Sequence, residues 1–227
     1  MNELLAAFFD PELAHRYVDG PPRFVPGLAD LHRMSAILLA ERAPPDAKVL
    51  VLGAGGGLEL KAFAEAQPAW RFDGVDPAAE MLAAAEKTLG PLNAQVRLHQ
   101  GYIDDAPEGP FDGAACLLTL HFLDPTERRR TAEAIRRRLK AGAAFVVAHA
   151  SCPQPDGARK LWLSRYAAFA VASGVPPEIA ETARAAVDRS LCLLSPEEDE
   201  AILREAGFSQ VTPFYTAFAW RGWVAQA

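Results

Sequence analysis
The chain holds 227 residues, a length that α/β proteins often fold as one unit with a sizeable core. Its net charge of -6 gives no broad positive field for a polyanion, so the bulk charge argues for a small-molecule substrate and against nucleic acid. The longest nearly apolar run, Gly113 to Leu123, falls far short of the roughly 20 residues a bilayer span needs.

The first residues, with Glu3 and no basic stretch, do not read as a signal peptide. Cys116, Cys152 and Cys192 are odd in number and lack CxxC spacing, which suggests neither disulfides nor a metal cluster. The expectation is a reduced, cytoplasmic protein without membrane contact or metal.

Leu4, Leu5, Phe8 and Phe9 fall at helical spacing, and Leu13 and Tyr17 extend the face beyond Asp10-Pro11. Asp19 to Gly27 carries three prolines and reads as a break, after which Leu28, Leu31, Ser35 and Leu38 restore the helical period. From Lys48 the pattern alternates: a strand to Leu52, a helix from Leu58 to about Gln67, a strand from Trp70 to Asp76, a helix from Ala78 to Leu89, and a short strand over Gln95 to His99. Phe111 to Leu118 gives another strand, Pro125 to Leu139 a helix, and Ala143 to His149 a fifth strand. Alternation of this kind predicts a doubly wound α/β fold, parallel strands with helices on both faces.

Two helical segments follow, Ala158 to Ser173 and Pro177 to Leu191. Ser195 caps a last helix with an acidic first turn, ended by Gly207, and the runs Gln210 to Phe218 and Ala219 to Gln226 close the chain as a strand pair. The chain is read as one domain over 1–227, with 1–45 as an amino-terminal helical cap and 151–194 as a helical insert.

The stretch Lys48 to Leu60, KVLVLGAGGGLEL, is the centre of this pattern. An apolar run suited to a strand buried on both faces leads into Gly53, Gly55, Gly56 and Gly57, and then into a helix. Glycines there remove the Cβ atoms that would block a ligand at a helix start. Nineteen residues after Gly57, Asp76 ends the second strand, near the spacing at which a carboxylate accepts hydrogen bonds from a ribose. The pair reads as an adenosine site. A nicotinamide site would want a small residue where Leu58 stands, which makes a dehydrogenase the weaker reading.

These features together resemble the class I S-adenosylmethionine (SAM)-dependent methyltransferases, whose Rossmann-like seven-stranded, mostly parallel sheet has an antiparallel last strand. The resemblance covers nearly the whole chain. It implies that SAM is the cofactor, that Gly53, Gly55 and Gly57 hold its methionyl half, and that Asp76 takes the ribose hydroxyls. Ala54, Pro77 and Met81 complete that side. Gly101 to Asp105 occupies the third motif, which implies that Tyr102, Ile103 and Asp104 border the adenine, and Leu117 to Phe122 the fourth, which lines the transferable methyl. Where the family often has an acidic residue two positions before the first glycine, this chain has Val51, and Glu59 stands as its substitute.

Within the class, VPG at Val25 to Gly27, HFLDPTERR at His121 to Arg129 and AGF at Ala206 to Phe208 are similar to the carboxy-SAM synthases of transfer-RNA wobble-uridine modification. Those enzymes use an arginine for the extra carboxylate, and its place falls here near Cys192 to Leu194, with no cation. The reading is therefore methyl transfer from ordinary SAM to an oxygen, nitrogen or carbon nucleophile of a small molecule. The alternatives are carboxy-SAM synthesis and a SAM-binding module without turnover.

His121, after a buried-type strand, is the candidate base. Its bland reading is a histidine satisfied at a strand end, and His149 carries the same ambiguity. In this family the amino-terminal helices fold over the cofactor, which implies that Tyr17 and His15 line the substrate pocket. Trp162, Tyr166 and Phe169 share one helical face, as an aromatic substrate wall, a lid or the face of a homodimer. The six arginines among Arg128 to Arg130 and Arg136 to Arg138 read as a solvated helix surface.

Overall fold
The computed structural model describes residues 9–10, 19–155 and 157–227. The helix expected over Leu4 to Tyr17 lies outside those residues, apart from Phe9 and Asp10. The remaining elements are α1 (Pro21–Phe24), α2 (Leu28–Ala40), β1 (Lys48–Leu52), α3 (Leu58–Ala66), β2 (Arg71–Asp76), α4 (Ala79–Leu89), β3 (Val96–Gln100), β4 (Phe111–Leu117), α5 (Pro125–Arg137), β5 (Leu139–Ala150), α6 (Ala158–Ala172), α7 (Pro177–Ser190), α8 (Pro196–Glu205), β6 (Ser209–Ala217) and β7 (Trp220–Gln226).

The seven strands form one sheet in the order β3-β2-β1-β4-β5-β7-β6. Strands β1 to β5 pair parallel, and β7 runs antiparallel to both β5 and β6. Leu50, Val75, Ala114 and Phe145 face a core closed by α5 and α8. Val49, Val51, Ala115 and Val146 face a second core closed by α2, α3 and the insert helices. Strands buried on both faces explain the unbroken apolar runs of β1 and β4.

Two expectations change. Pro21 and Pro22 open a four-residue helix inside the segment expected to be a break, because proline's missing N–H costs nothing in a first helical turn. Strand β5 begins at Leu139 rather than Ala143, since Leu139 pairs with Phe111 across a register shift before the regular ladder starts at Gly113 and Ala144. The Ser195 cap holds as expected: its Oγ accepts from the Glu198 N–H at 3.2 Å while the Glu198 carboxylate accepts from the Ser195 N–H at 2.7 Å.

The chain between α1 and α2 is tied to the far edge of the sheet. Trp220 Nε1 donates to the Phe24 carbonyl at 3.0 Å, and the Tyr215 hydroxyl donates to the Pro26 carbonyl. Gly27 then takes φ +68 as the N-cap of α2, a left-handed conformation that suits glycine. These contacts give the Val25-Pro26-Gly27 stretch its work: they fix where α2 starts and which residues its first turns present.

Arg128 departs from the solvated surface expected of it. Its side chain is 1% exposed and ion-pairs with Asp199 on α8, also 1% exposed. Its remaining donors reach the carbonyls of Leu120 at 3.1 Å, Leu123 at 3.3 Å and Cys192 at 2.7 Å. One guanidinium thus joins α5, the loop after β4, the end of the insert and α8. Breaking a buried ion pair by removing one partner costs about 3–5 kcal/mol, because the other charge stays buried. Asp199→Asn is therefore expected to lower the unfolding free energy in urea by about that amount; a loss under about 1 kcal/mol would mean the pair contributes no more than a surface one.

Candidate cofactor and acceptor site
At the carboxyl edge of the parallel strands lies a cavity of about 280 Å³. The turn after β1 forms one wall. Gly53, Gly55 and Gly57 take φ of +77, +46 and +79, values that L side chains resist. A Cβ on Gly53 would sit 1.9 Å from Thr119 Oγ1, and one on Gly57 would sit 3.0 Å from the Ala85 backbone. Gly53 therefore lets the turn pass close to the loop after β4, and Gly53 and Gly55 line the cavity, whereas Ala54 and Gly57 are not among the lining residues.

Asp76 organises the floor. Its carboxylate accepts from the Gly55 N–H at 2.9 Å and from the Ala78 N–H at 3.0 Å. Burial raises its pKa, and those two backbone bonds work against the rise. Pro77, Met81, Tyr102 and Ile103 line the neighbouring slot, with Met81 and Ile103 buried and Tyr102 largely exposed at its rim. Leu117, Leu118, Thr119 and Phe122 follow from β4.

Glu59, in the first turn of α3, lines the same cavity. Burial drives its pKa up to about 8, and the charge of Asp76 adds to the rise. This side chain is where the resemblance places a substitute for the acidic residue missing at Val51.

Several expected site residues lie elsewhere. His121 is not among the lining residues: its Nδ1 accepts from the Ala150 N–H at 3.1 Å, and its ring packs against Phe122 and Trp220. With that lone pair occupied by the Ala150 N–H, His121 has no free nitrogen to act as a base. His149 is buried with Nε2 3.1 Å from Asp199 Oδ1, inside the Arg128 cluster rather than the cavity. Tyr166 stacks on Phe24 at 5.5 Å, and Trp162 lies under the guanidinium of Arg165 at 4.4 Å, so both serve the packing of the insert. Asp104 is bound to Arg130 at 2.8 Å at the protein surface and does not line the cavity. Tyr17 and His15 lie outside the described residues.

The structure adds residues that the sequence reading passed over. From α2, Leu28 and His32 sit one turn apart on the cavity side, and Thr131 and Arg130 come from α5. The i, i+4 pairing of Leu28 with His32 was the signal available; it was masked by the stronger Leu28, Leu31, Ser35, Leu38 stripe.

Comparison with known proteins agrees with this geometry. Residues 49–142 match a family model described as a methyltransferase domain. A carboxy-S-adenosyl-L-methionine synthase of Actinobacillus succinogenes is 28% identical over 217 residues, covering 92% of this chain and 89% of that one. An O-methyltransferase family protein from Burkholderia thailandensis shares the fold with a TM-score of 0.71 at 15% identity, covering 99% of this chain and 62% of that one. Human N-acetylserotonin methyltransferase, solved in complex with SAM, does so with a TM-score of 0.65 at 14% identity, covering 98% of this chain and 58% of that one. The chain thus spans roughly three fifths of the length of those two solved structures.

Residues 49–142 thus carry a methyltransferase domain, and the glycine cradle, Asp76, apolar slot and seven-stranded topology are similar to those of the class I SAM-dependent methyltransferases, with SAM as the cofactor. Its similarity to proteins named carboxy-SAM synthase stands at 27–28% identity.

The residues fit the cofactor: Gly53 and Gly55 at positive φ line the cavity with backbone, the buried Asp76 carboxylate could take ribose hydroxyls, and Met81 and Ile103 offer apolar surface for a base. Losing hydrogen bonds to a charged group costs about 1.5–3 kcal/mol, and every 1.4 kcal/mol is tenfold in affinity. Asp76→Ala is expected to weaken SAM binding by roughly 10- to 100-fold in calorimetric titration. Unchanged affinity would refute the placement of the ribose.

Proposed function
We propose that the protein transfers the methyl group of SAM to an oxygen, nitrogen or carbon nucleophile of a small molecule. The observation carrying this reading is that the cofactor cradle and an apolar wall from α2 and the loop after β4 enclose one cavity. When bound, SAM supplies a methyl made electrophilic by its positive sulfur. The glycine turn and Asp76 hold the cofactor, Thr119 and Phe122 border the reacting end, and Leu28 with His32 face it from the other side. Most of the acceleration then comes from positioning. We place the protein in the cytoplasm with reduced cysteines; among the described residues no helix is long and apolar enough to cross a membrane.

Relatives named carboxy-SAM synthase favour a second reading, in which the cofactor carries an extra carboxylate. Such a group needs a cation beside it. Arg130 is the one lining cation among the described residues, and Asp104 and Glu127 already bind it, at 2.8 Å and 3.0 Å. Cys192, near where the synthase arginine would fall, has its carbonyl taken by Arg128. Ordinary SAM suits this cavity better. A ligand selective for the folded state raises its melting temperature, so SAM is expected to stabilise the protein more than equal concentrations of carboxy-SAM or NAD. The reverse order would shift the assignment to the synthase or to a dehydrogenase.

Glu59 gives that binding a pH dependence. Its folded carboxyl is protonated below about pH 8, and the cationic ammonium of SAM favours the ionised form. SAM affinity is therefore expected to rise with pH between about 6 and 8, until the SAM ammonium itself loses its proton, and Glu59→Gln to flatten the rise. A wild-type affinity constant from pH 6 to pH 9 would remove Glu59 from the ammonium site.

A further inference from the structure
We propose that the acceptor is a weakly acidic hydroxyl on an apolar, uncharged frame and that His32 takes its proton; this rests on the methyl-transfer reading above. Four observations carry it.

Helix α2 divides its faces. Leu31, Ser35 and Leu39 turn to the core, while Leu28 and His32 line the cavity. The carbonyl ties from Trp220 and Tyr215 fix the start of that helix, so the imidazole is held by the fold rather than by a free loop. His32 is 7% exposed, and among the described residues its imidazole has no hydrogen-bond partner. An imidazole without a partner in an apolar cavity bears the cost of desolvation unless a ligand supplies the missing bond.

The surroundings define what that ligand is. Pro21, Leu28, Leu58, Leu118, Phe122 and Leu123 make the wall apolar. Thr119 spends its hydroxyl proton on the Leu117 carbonyl at 3.0 Å. Among the described residues, the acids and strong bases lining the cavity are Asp76 and the Glu59 carboxyl at the cofactor end, and Glu127 with Arg130 at the rim, where the two are already paired. Among the described residues no unpaired cation lines the cavity to receive a carboxylate or phosphate acceptor. With about 280 Å³ to share between cofactor and acceptor, near the lower end of ordinary ligand cavities, the acceptor frame is small.

A protonated hydroxyl is a weak nucleophile and needs a base, whereas a carboxylate or a phenolate does not. Burial lowers the pKa of His32 to about 4, so the imidazole is neutral at neutral pH with its lone pair free, and it takes the proton only as the oxygen bonds to the methyl and the hydroxyl becomes strongly acidic. In the step, the acceptor oxygen forms its bond to the methyl carbon as the carbon–sulfur bond breaks with its electron pair left on sulfur. The hydroxyl proton passes to the imidazole and then to solvent.

The test uses the whole chain with SAM and two probes, 2-naphthol and a nitro-substituted naphthol that is already ionised at the assay pH. His32→Ala and His32→Gln are expected to cut methylation of 2-naphthol by about 10²–10⁴-fold, to cut methylation of the ionised probe by less than about tenfold, and to leave the calorimetric affinity for SAM unchanged. Equal losses on both probes would show a packing role and overturn the base; no loss on either would do the same. Wild-type protein that binds SAM yet methylates neither probe overturns the acceptor class. Protein that binds no SAM fails one step earlier, at the methyl-transfer reading itself.

Discussion

Asp76 is the constraint from which the site follows. Its two carboxylate oxygens hold the Gly55 and Ala78 N–H groups, so the turn after β1 and the start of the helix after β2 are fixed to one side chain. Its own carbonyl accepts from the Gly101 N–H at 3.0 Å, which brings in the loop after β3. The neighbouring Val75 carbonyl takes the N–H groups of Gly53 and Ala54 at 2.8 Å and 3.0 Å. Three loops from three parallel strands therefore converge on the end of β2. A buried carboxylate is costly unless hydrogen-bonded; here the bonds that satisfy it are those that shape the cradle.

The half of the cavity proposed for the acceptor is built differently. Its walls come from α2 and from the loop after β4, and each is tied at a distance. Trp220 and Tyr215, on the last two strands, hold the carbonyls that precede α2, while Arg128 gathers the carbonyls of Leu120 and Leu123 and locks them to Asp199. The closing strand pair thus does more than end the sheet: it sets the position of Leu28 and His32 in the cavity wall. In this arrangement the cofactor side is fixed by backbone geometry common to the fold, and the acceptor side by side chains particular to this sequence.

This difference explains what could be read from the sequence. Backbone demands leave marks at fixed spacing: the glycines at positive φ, a carboxylate at the end of the second strand, apolar runs in doubly covered strands, and a serine cap three residues before Glu198. All of these were found where the sequence placed them, within a residue or two. Long-range pairings leave no such mark. Nothing in the run of arginines distinguishes Arg128, buried against Asp199 71 residues away, from Arg129 at the surface. The same limit misled on His121, which stands at the end of β4 but turns to the Ala150 N–H, and it hid His32, whose exposure to the cavity depends on how α2 is anchored.

Mass spectrometry of the small molecule released when the freshly purified protein is denatured tests the cofactor assignment most directly. Recovery of SAM or S-adenosylhomocysteine is the expected result, since a cradle that binds the methionyl and ribose parts retains whichever of the two the cell supplies. Recovery of a nicotinamide nucleotide instead would contradict the reading of the glycine turn and of Asp76, and with it the methyltransferase site.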